Sequence, residues 1–350
     1  MPNWRIVSRI FARCLLFFSM AIAPQFVQAL VHDFPPAGGN WRSLVPGTGV
    51  TPNQAGRDNI RATVGLDWDY LKIASDYSKQ FDGTSSLIVI RDDWIAFEWG
   101  DTTSKTGAAS VTKSLTGIAA ARVFDMSSSG QLAGAITPDS LAKDYLPSTW
   151  NQGNSRRNQV SVRQLLTMSS GIAPWDAPND PLYTQSFILD RGIESTPGSV
   201  WSYSSLSADL AGIVLQNAAA GSIETIMQRD ILGPIGADVS WEQIAGSGLT
   251  KGSSGARLST RSLARIAHLL LHEGEWAGQQ LISAQNGRLS ATGRRSCNQQ
   301  ALPTRWAHPS WCRATRRNIM VICSGPIVII RHWDPRRPRM LSTPTVMAKT

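Results

Sequence analysis

A serine and a lysine three positions apart, at the start of a long apolar helix, constrain this chain more than any other feature. The segment is Ser110-Val111-Thr112-Lys113. Apolar residues continue from it at helical spacing: Val111, Leu115, Ile118, Ala119 and Val123. Side chains at positions i and i+3 share one face of a helix, about 5–6 Å apart at Cβ. The pattern predicts a buried helix that presents a hydroxyl and an amine together at its first turn.

A serine beside a lysine is a combination that suits nucleophilic catalysis. A serine hydroxyl is a weak nucleophile until a neighbouring base takes its proton, and an amine can do so without any histidine. Backbone N–H groups and the helix dipole at a helix start favour a developing negative charge. A second Ser-x-x-Lys, Ser140 to Lys143, lies between Pro138 and Pro147 with no long apolar helix after it. We therefore predict that Ser110 is the nucleophile and that the second segment is surface.

The first 29 residues are typical of a secretory signal peptide. Arg5, Arg9 and Arg13 precede an apolar run of about ten residues, and Val27-Gln28-Ala29 matches a cleavage site. The run is shorter than a membrane-spanning helix requires, and no later segment reaches that length. An anchored helix is the alternative. We expect a secreted or periplasmic protein with no stable membrane span in the mature chain.

The positive charge is concentrated at the C-terminal end. Residues 284–350 carry 12 Lys and Arg against one acidic residue, whereas residues 30–283 carry 19 against 24. The net charge of +9 is therefore no argument for binding nucleic acid. Residues 30–283 contain no cysteine, which excludes a thiolate metal site there. His268 and His272 are four apart, but the sequence shows no third ligand, so we expect no metal and no cofactor.

The remaining patterns separate strands from helices. Leu87–Ile90, a turn over residues 91–93, and Trp94–Trp99 predict a β-hairpin. Ser161 and Gln164 predict a capping box that begins a short helix. Three further helices are predicted from apolar spacing: on Leu66, Tyr70, Ile73 and Tyr77; on Leu206, Leu210, Ile213 and Val214; and on Leu263, Ile266, Leu269 and Leu270. The helices that follow residue 125 predict a helical lobe inserted after the nucleophile helix.

Tyr203 is the third candidate for proton transfer. The segment Tyr203-Ser204-Ser205 follows Pro197-Gly198 and precedes the predicted helix at Leu206. A phenol close to a lysine ammonium ionises more easily and can carry a proton from the serine to a leaving group. The alternative is a buried tyrosine whose hydroxyl is satisfied locally.

Four segments in this order resemble the β-lactamase-related serine hydrolases. They are Ser110-x-x-Lys113, Val162–Gly171, Pro197-Gly198 with Tyr203-Ser204-Ser205, and Gly255–Ser259. The family includes class C β-lactamases, D,D-peptidases, esterases and aminohexanoate-oligomer hydrolases. The resemblance covers about residues 60–283. It implies an α+β fold over residues 30–283, with an antiparallel sheet flanked by helices, a helical lobe at about 125–250, and the site between them.

The resemblance also implies residue roles. Ser110 would be acylated, with Lys113 and Tyr203 as the proton-transfer pair; which of the two is the base stays open. Ser205, Trp175 and Asp176 are expected to contact a small ester or amide substrate. A binding protein that kept the fold without turnover, and a cell-wall D,D-transpeptidase or carboxypeptidase, are the alternative functions.

Two departures from the family pattern bear on activity. Penicillin-recognising members carry an asparagine at the position of Ser205, so its hydroxyl favours the esterase and oligomer-amidase branches. The third motif of the family, K-T-G or a relative on a late strand, has no convincing counterpart. Lys251-Gly252-Ser253 mimics it but precedes the helix at Leu263, and we interpret it as a loop.

From about Asn286 the sequence no longer resembles the preceding body. A flexible basic tail is one explanation, and a strand at Ile319–Cys323 is another, because its composition suits a buried strand. A change of reading frame is the third, since shifted codons from Ile319 can encode strings that look like the missing late strands. The frame hypothesis predicts an unpaired sheet edge, one missing wall of the oxyanion hole and impaired folding or turnover.

Overall fold

A four-stranded antiparallel sheet forms one layer of the fold. Its order is β2-β1-β8-β9, with β1 at Ser86–Arg91, β2 at Trp94–Gly100, β8 at Ile319–Cys323 and β9 at Ile327–Ile330. The computed structural model describes residues 34–37, 39–80, 85–151, 155–175, 180 and 182–291, with side chains to residue 287, and the backbone of β8 and β9. The predicted hairpin is confirmed, because β1 and β2 pair from Ser86–Gly100 to Arg91–Trp94.

Helices cover the sheet and build a second lobe. Their bounds are α1 Gln54–Val64, α2 Trp68–Ser78, α3 Val111–Ser128, α4 Val162–Leu166, α5 Gln185–Asp190, α6 Ser205–Ala219, α7 Ile223–Met227, α8 Gly233–Ile235, α9 Thr260–Leu271 and α10 Ala284–Ala291. A π-helical turn, Gln228–Leu232, joins α7 to α8. The short strands β3 Thr106–Gly107, β5 Arg257–Leu258 and β4 Val239–Ser240 form a second sheet, and β6 Glu275–Trp276 pairs with β7 Gln279–Gln280.

Local capping explains where several helices begin. The predicted capping box is confirmed: Ser161 Oγ accepts from the Gln164 N–H at 3.2 Å, and the Gln164 side chain accepts from the Ser161 N–H at 2.9 Å. Ser204 caps α6 by accepting from the Ser207 N–H at 3.1 Å. Each such cap stabilises a helix by about 1 kcal/mol. The cap on α6 also fixes the backbone beside Tyr203.

The helix predicted on Leu66, Tyr70, Ile73 and Tyr77 is present as α2, but Tyr70 and Ile73 do not lie on its buried face. Tyr70 and Ile73 are 75% and 63% exposed, whereas Trp68 and Leu71 are buried. Both sets repeat at helical spacing, so the sequence pattern alone cannot separate them. Trp68 decides the orientation because its ring packs against Phe97 of β2 at a centroid distance of 5.0 Å.

Two apolar cores meet along α3. Leu115, Ile118 and Ala119 belong to the core beneath the sheet, together with residues of β1, β2 and α9. Ala120, Val123 and Met126 belong to the core of the helical lobe, which α4 and α6 complete. A helix that is apolar on all sides is expected at such an internal position. The middle of α3 is therefore buried between the two cores, and the buried helix predicted from the Ser110 pattern is present.

The C-terminal segment contributes to the main sheet. β8 pairs with β1 from Leu87–Cys323 to Arg91–Ile319, and β9 pairs with β8. The strand interpretation of Ile319–Cys323 is confirmed for the backbone, and the expectation of an unpaired edge at β1 was wrong. Residues 1–33 and 331–350 lie outside the described residues, and so does the predicted signal peptide. No single helix of the described part is long and apolar enough to cross a membrane; α6 followed by Ile223–Ile235 passes that test only as a bent pair.

Candidate active site

Ser110 lies immediately before α3, exposed to solvent and three residues after the short strand β3. The approach to it is fixed by β3, which pairs with β5, and by the Ala108 N–H, which donates to the Ala256 carbonyl at 2.8 Å. Ala109 has a φ of +43°, in the left-handed region that a residue with a Cβ seldom adopts. This conformation costs on the order of 1 kcal/mol and turns the chain sharply into the helix. The sharp turn presents the serine hydroxyl outward.

Two buried threonines tie the first turns of α3 to the neighbouring loop. The Thr112 hydroxyl donates to the Ala109 carbonyl at 2.8 Å and accepts from the Ala256 N–H at 3.2 Å. The Thr116 hydroxyl donates to the Gly252 carbonyl at 2.8 Å. Both side chains are almost fully buried, so each bond also satisfies a group that water does not reach. The helix start is thereby locked against the segment 252–256.

The structure brings together the three residues predicted to carry the chemistry. The Tyr203 hydroxyl donates to Ser110 Oγ at 2.6 Å, and Lys113 Nζ lies 3.3 Å from the same oxygen. Lys113 Nζ also lies 5.0 Å from the centroid of the Tyr203 ring, within the range of a cation–π contact. One serine oxygen thus lies within hydrogen-bond reach of a phenol and an amine, the geometry that proton abstraction requires.

The amine of Lys113 has two further partners. It donates to Ser205 Oγ at 3.2 Å and to the Ser253 carbonyl at 3.0 Å. With Ser110 Oγ, three oxygen atoms therefore surround the Lys113 nitrogen. Ser205, predicted to contact substrate, is buried and lies against Lys113. Its role towards substrate stays a prediction.

The segment Lys251-Gly252-Ser253 is a loop, as predicted. No strand includes it, and it lies between β4 and β5. Sequence reasoning nevertheless missed its importance, because the Ser253 carbonyl contacts the amine of Lys113. A backbone carbonyl carries no signature in the sequence, so the spacing of motifs could not have found this contact.

Trp175 and Asp176 are the other two residues predicted to contact substrate. Trp175 packs against Phe187 at a centroid distance of 5.4 Å and beneath the Arg191 guanidinium at 4.9 Å, both within the helical lobe. Asp176 lies outside the described residues. A cavity of about 170 Å³ opens in the same lobe, lined by Met168, Ile172, Glu194, Val200 and Ser202 among others. Ser202, which lines this cavity, immediately precedes Tyr203 in the chain.

The second Ser-x-x-Lys segment has a different environment. Ser140 lies in a turn and accepts from the Thr137 N–H at 3.0 Å, and Lys143 lies in the 3₁₀ helix Ala142–Tyr145. Beside it, the Arg163 side chain donates two hydrogen bonds to Asp139 and holds the pKa of that carboxyl below its usual value. Ser140 and Lys143 are half-buried, more than the surface position predicted, and no long helix begins there. The segment serves as a turn.

An acidic side chain joins His268 of α9 and His272 just after it as a third potential ligand, contrary to the sequence expectation. Asp93 Oδ1 lies 3.7 Å from His268 Nε2, and His272 completes a cluster whose potential ligand atoms are all within 4.8 Å of one another. Asp93 lies in the β1–β2 turn, far along the chain, which is why the sequence did not show it. Arg42 approaches Asp93 to 3.7 Å and supplies a compensating positive charge. Phe34 and Trp41 pack edge-on against the His268 ring. The cluster therefore lies among aromatic side chains of the core.

Comparison with known proteins agrees with this geometry. Residues 57–317 match the family model described as Beta-lactamase. The chain belongs to the Beta-lactamase family. The matched range extends past residue 283, where the resemblance read from motifs ended. No curated relative matches the chain at a significant level.

Solved structures of this family share the fold at low sequence identity. One is a "putative beta-lactamase" from Bacteroides dorei DSM 17855, 20% identical, with a TM-score of 0.53 over 63% of this chain and 68% of that one. Another is a "putative 6-aminohexanoate-dimer hydrolase" from Bacillus anthracis, 17% identical, with a TM-score of 0.52 over 73% and 68%. A third, the octameric penicillin-binding protein homologue from Pyrococcus abyssi, is 18% identical, with a TM-score of 0.50 over 63% and 59%. The Beta-lactamase fold predicted for this chain is thereby confirmed.

Proposed function

We propose that this protein is an exported serine hydrolase that forms an acyl-enzyme on Ser110 and releases it to water. The observation that carries the proposal is the convergence of Tyr203 and Lys113 on one serine oxygen, at 2.6 and 3.3 Å. Export is proposed from the basic and apolar pattern of residues 1–29. A fluorophosphonate probe, which reacts with activated serines, tests the proposal together with hydrolysis of a p-nitrophenyl acyl ester.

The chemistry follows from the contacts. As Ser110 Oγ attacks the substrate carbonyl carbon, its proton passes to the Tyr203–Lys113 pair, and the new O–C bond forms as the carbonyl becomes an oxyanion. The positive end of α3 lies at this point and favours that charge. Collapse of the intermediate breaks the bond to the leaving alcohol or amine, which takes the proton from the pair. Water then repeats the sequence on the acyl-enzyme and frees Ser110.

Tyr203 is the better placed proton acceptor of the two. Its oxygen is the closer to Ser110 Oγ, whereas Lys113 Nζ is also engaged by Ser205 Oγ and the Ser253 carbonyl. In this proposal Tyr203 enters the step as the phenolate beside the Lys113 ammonium, takes the proton from Ser110 Oγ, and then gives that proton to the leaving group.

Substrate choice is expected to favour esters over penicillins. Ser205 replaces the asparagine that penicillin-recognising relatives carry, and its hydroxyl is bonded to Lys113. A p-nitrophenyl acyl ester or a small linear amide should therefore be turned over faster than benzylpenicillin. Steady-state kcat/KM values for the three substrates check this expectation. Faster hydrolysis of the penicillin would contradict it.

A reading-frame change upstream of the tail is proposed as the origin of its composition. β8 already pairs with β1. The hypothesis therefore concerns the side chains and the oxyanion hydrogen-bond donors that a third-motif strand would bring to Ser110. Loss of one oxyanion donor lowers turnover by about 10²–10³-fold. Resequencing the gene is expected to reveal the displaced frame. An unbroken present frame together with a soluble, fully active 350-residue product would refute the hypothesis.

The same experiments separate the alternative functions. Covalent labelling of Ser110 without product release would indicate a binding protein that kept the fold but lost turnover. Acyl transfer to added amines in preference to water would indicate a transpeptidase. The 6-aminohexanoate-dimer hydrolase among the similar structures supports including a linear amide among the substrates.

A further inference from the structure

A fully buried carboxylate lies behind the catalytic lysine, on the second turn of α6. Asp209 has no exposed surface. Its Oδ1 accepts from the N–H groups of Gly252 and Ser253, at 2.7 and 2.8 Å. Its Oδ2 accepts from the Ser253 hydroxyl at 2.6 Å and from the Tyr183 hydroxyl at 2.7 Å. Four hydrogen bonds thus converge on the two carboxyl oxygens.

The loop that Asp209 holds can approach α6 only because residue 252 is glycine. A Cβ on Gly252 would lie 2.5 Å from the Ala208 carbonyl oxygen, a distance that is too short for a non-bonded contact. From the other side, the Thr116 hydroxyl of α3 donates to the Gly252 carbonyl at 2.8 Å. The loop is therefore clamped between α6 and α3. Its position is set by Asp209 on one side and Thr116 on the other.

This clamp ends at the catalytic amine. Ser253 donates two hydrogen bonds to Asp209, from its N–H and its hydroxyl, and its carbonyl accepts from Lys113 Nζ at 3.0 Å. We propose that Asp209 is a positioning residue which, through Ser253, holds the Lys113 amine in reach of Ser110 Oγ. The proposal rests on the acyl-enzyme function proposed above. It assigns to Asp209 an effect on the rate of serine acylation that it exerts without touching the substrate.

A purely structural Asp209 would behave differently. Burial of four hydrogen bonds alone predicts that its removal lowers the melting temperature while each folded molecule still reacts at the normal rate. A positioning residue predicts that folded molecules react more slowly at saturating probe. Because Asp209 does not contact the probe, the probe concentration that gives half the maximal rate should not change.

The test measures fluorophosphonate labelling of the full chain at a temperature where circular dichroism shows each variant folded. Asp209→Ala should lower the maximal labelling rate roughly 10- to 10²-fold, which is the scale expected when a catalytic group is displaced. The probe concentration that gives half the maximal rate should stay the same. Asp209→Asn should restore most of that rate, because the amide oxygen still accepts both backbone N–H groups and hydroxyls can reverse their direction. Tyr183→Phe is the matched control. It removes a bond to the same carboxylate without touching the loop, and should label at the wild-type rate.

A second variant keeps the test decisive where Asp209→Ala does not fold. Gly252→Ala leaves the carboxylate intact but pushes the loop from α6, so it should show the same slow maximal rate. Wild-type maximal rates in folded Gly252→Ala, or in folded Asp209→Ala, would overturn the positioning proposal while leaving the serine hydrolase intact. Absence of labelling in the wild-type protein would instead overturn the proposed function itself.

Discussion

Replacement of Ser110 by alanine is expected to abolish covalent labelling by a fluorophosphonate and to reduce ester hydrolysis to the background rate. Ser110 Oγ is the atom on which Tyr203 and Lys113 converge, at 2.6 and 3.3 Å. Loss of the nucleophile removes the covalent step, which the surrounding groups cannot replace. Gel fluorescence of the labelled protein and release of p-nitrophenol measure the two effects.

Two serine variants serve as matched controls for this loss. Ser114→Ala removes an exposed hydroxyl one turn further along α3, and alanine is favoured inside a helix. Ser140→Ala removes the serine of the second Ser-x-x-Lys segment, which lies in a turn. Both should label like the wild type. Persistent labelling of Ser110→Ala, or loss of labelling in Ser140→Ala, would show that the nucleophile has been assigned to the wrong residue.

Removal of either partner in the proton relay is expected to lower turnover at least about 10²-fold, the usual scale of general acid–base catalysis. Tyr203→Phe deletes the hydroxyl that lies 2.6 Å from Ser110 Oγ but keeps the ring that faces the lysine. Lys113→Met deletes the amine and keeps a side chain of similar length. Single-turnover acylation rates and steady-state kcat of each variant check the prediction.

The double variant distinguishes a relay from two independent effects. If Tyr203 and Lys113 act as one unit, removing both should cost little more than the worse single change, because effects within a unit are not additive. Multiplied losses would indicate that the two side chains act separately. Normal turnover in Tyr203→Phe would leave that tyrosine with a packing role only.

Local patterns were sufficient to predict most of the elements around the site. The periodic apolar residues after Ser110 predicted a buried helix, and α3 runs from Val111 to Ser128 with both lobes packed on it. The Ser161 capping box and the β1–β2 hairpin depend on neighbours in sequence, which is why they were predictable. The Ser110–Lys113 pair was predictable because helix geometry fixes side chains three apart.

The hydrogen bonds that hold the site residues in place were not predictable, because they join segments that are far apart in the sequence. Asp209 holds Gly252 and Ser253 across 43 and 44 positions of the chain, and Lys113 reaches the Ser253 carbonyl across 140. Backbone donors and acceptors have no residue type to mark them. Tyr203 was named as a candidate from its chemistry, but the local sequence left open a buried tyrosine whose hydroxyl is satisfied locally, and only the resemblance to a family favoured the first role.

The helix α2 shows a second limit of pattern reasoning. Tyr70 and Ile73 repeat at the same spacing as Trp68 and Leu71, yet the packing of Trp68 on Phe97 turns the first pair outward. The third member of the Asp93–His268–His272 cluster was missed for a related reason. Its aspartate comes from a hairpin turn 175 positions before the first histidine, and only the fold brings them together.

Peptide mapping of the labelled full-length protein tests the central claim most directly. After reaction with a fluorophosphonate, intact mass spectrometry should show one adduct per chain, and tandem spectra should place it on Ser110 in the peptide that also contains Lys113. A single adduct at Ser110 is the result that the geometry of Tyr203 and Lys113 predicts. An unmodified Ser110, or adducts spread over other serines, would contradict an acyl-enzyme mechanism for this chain.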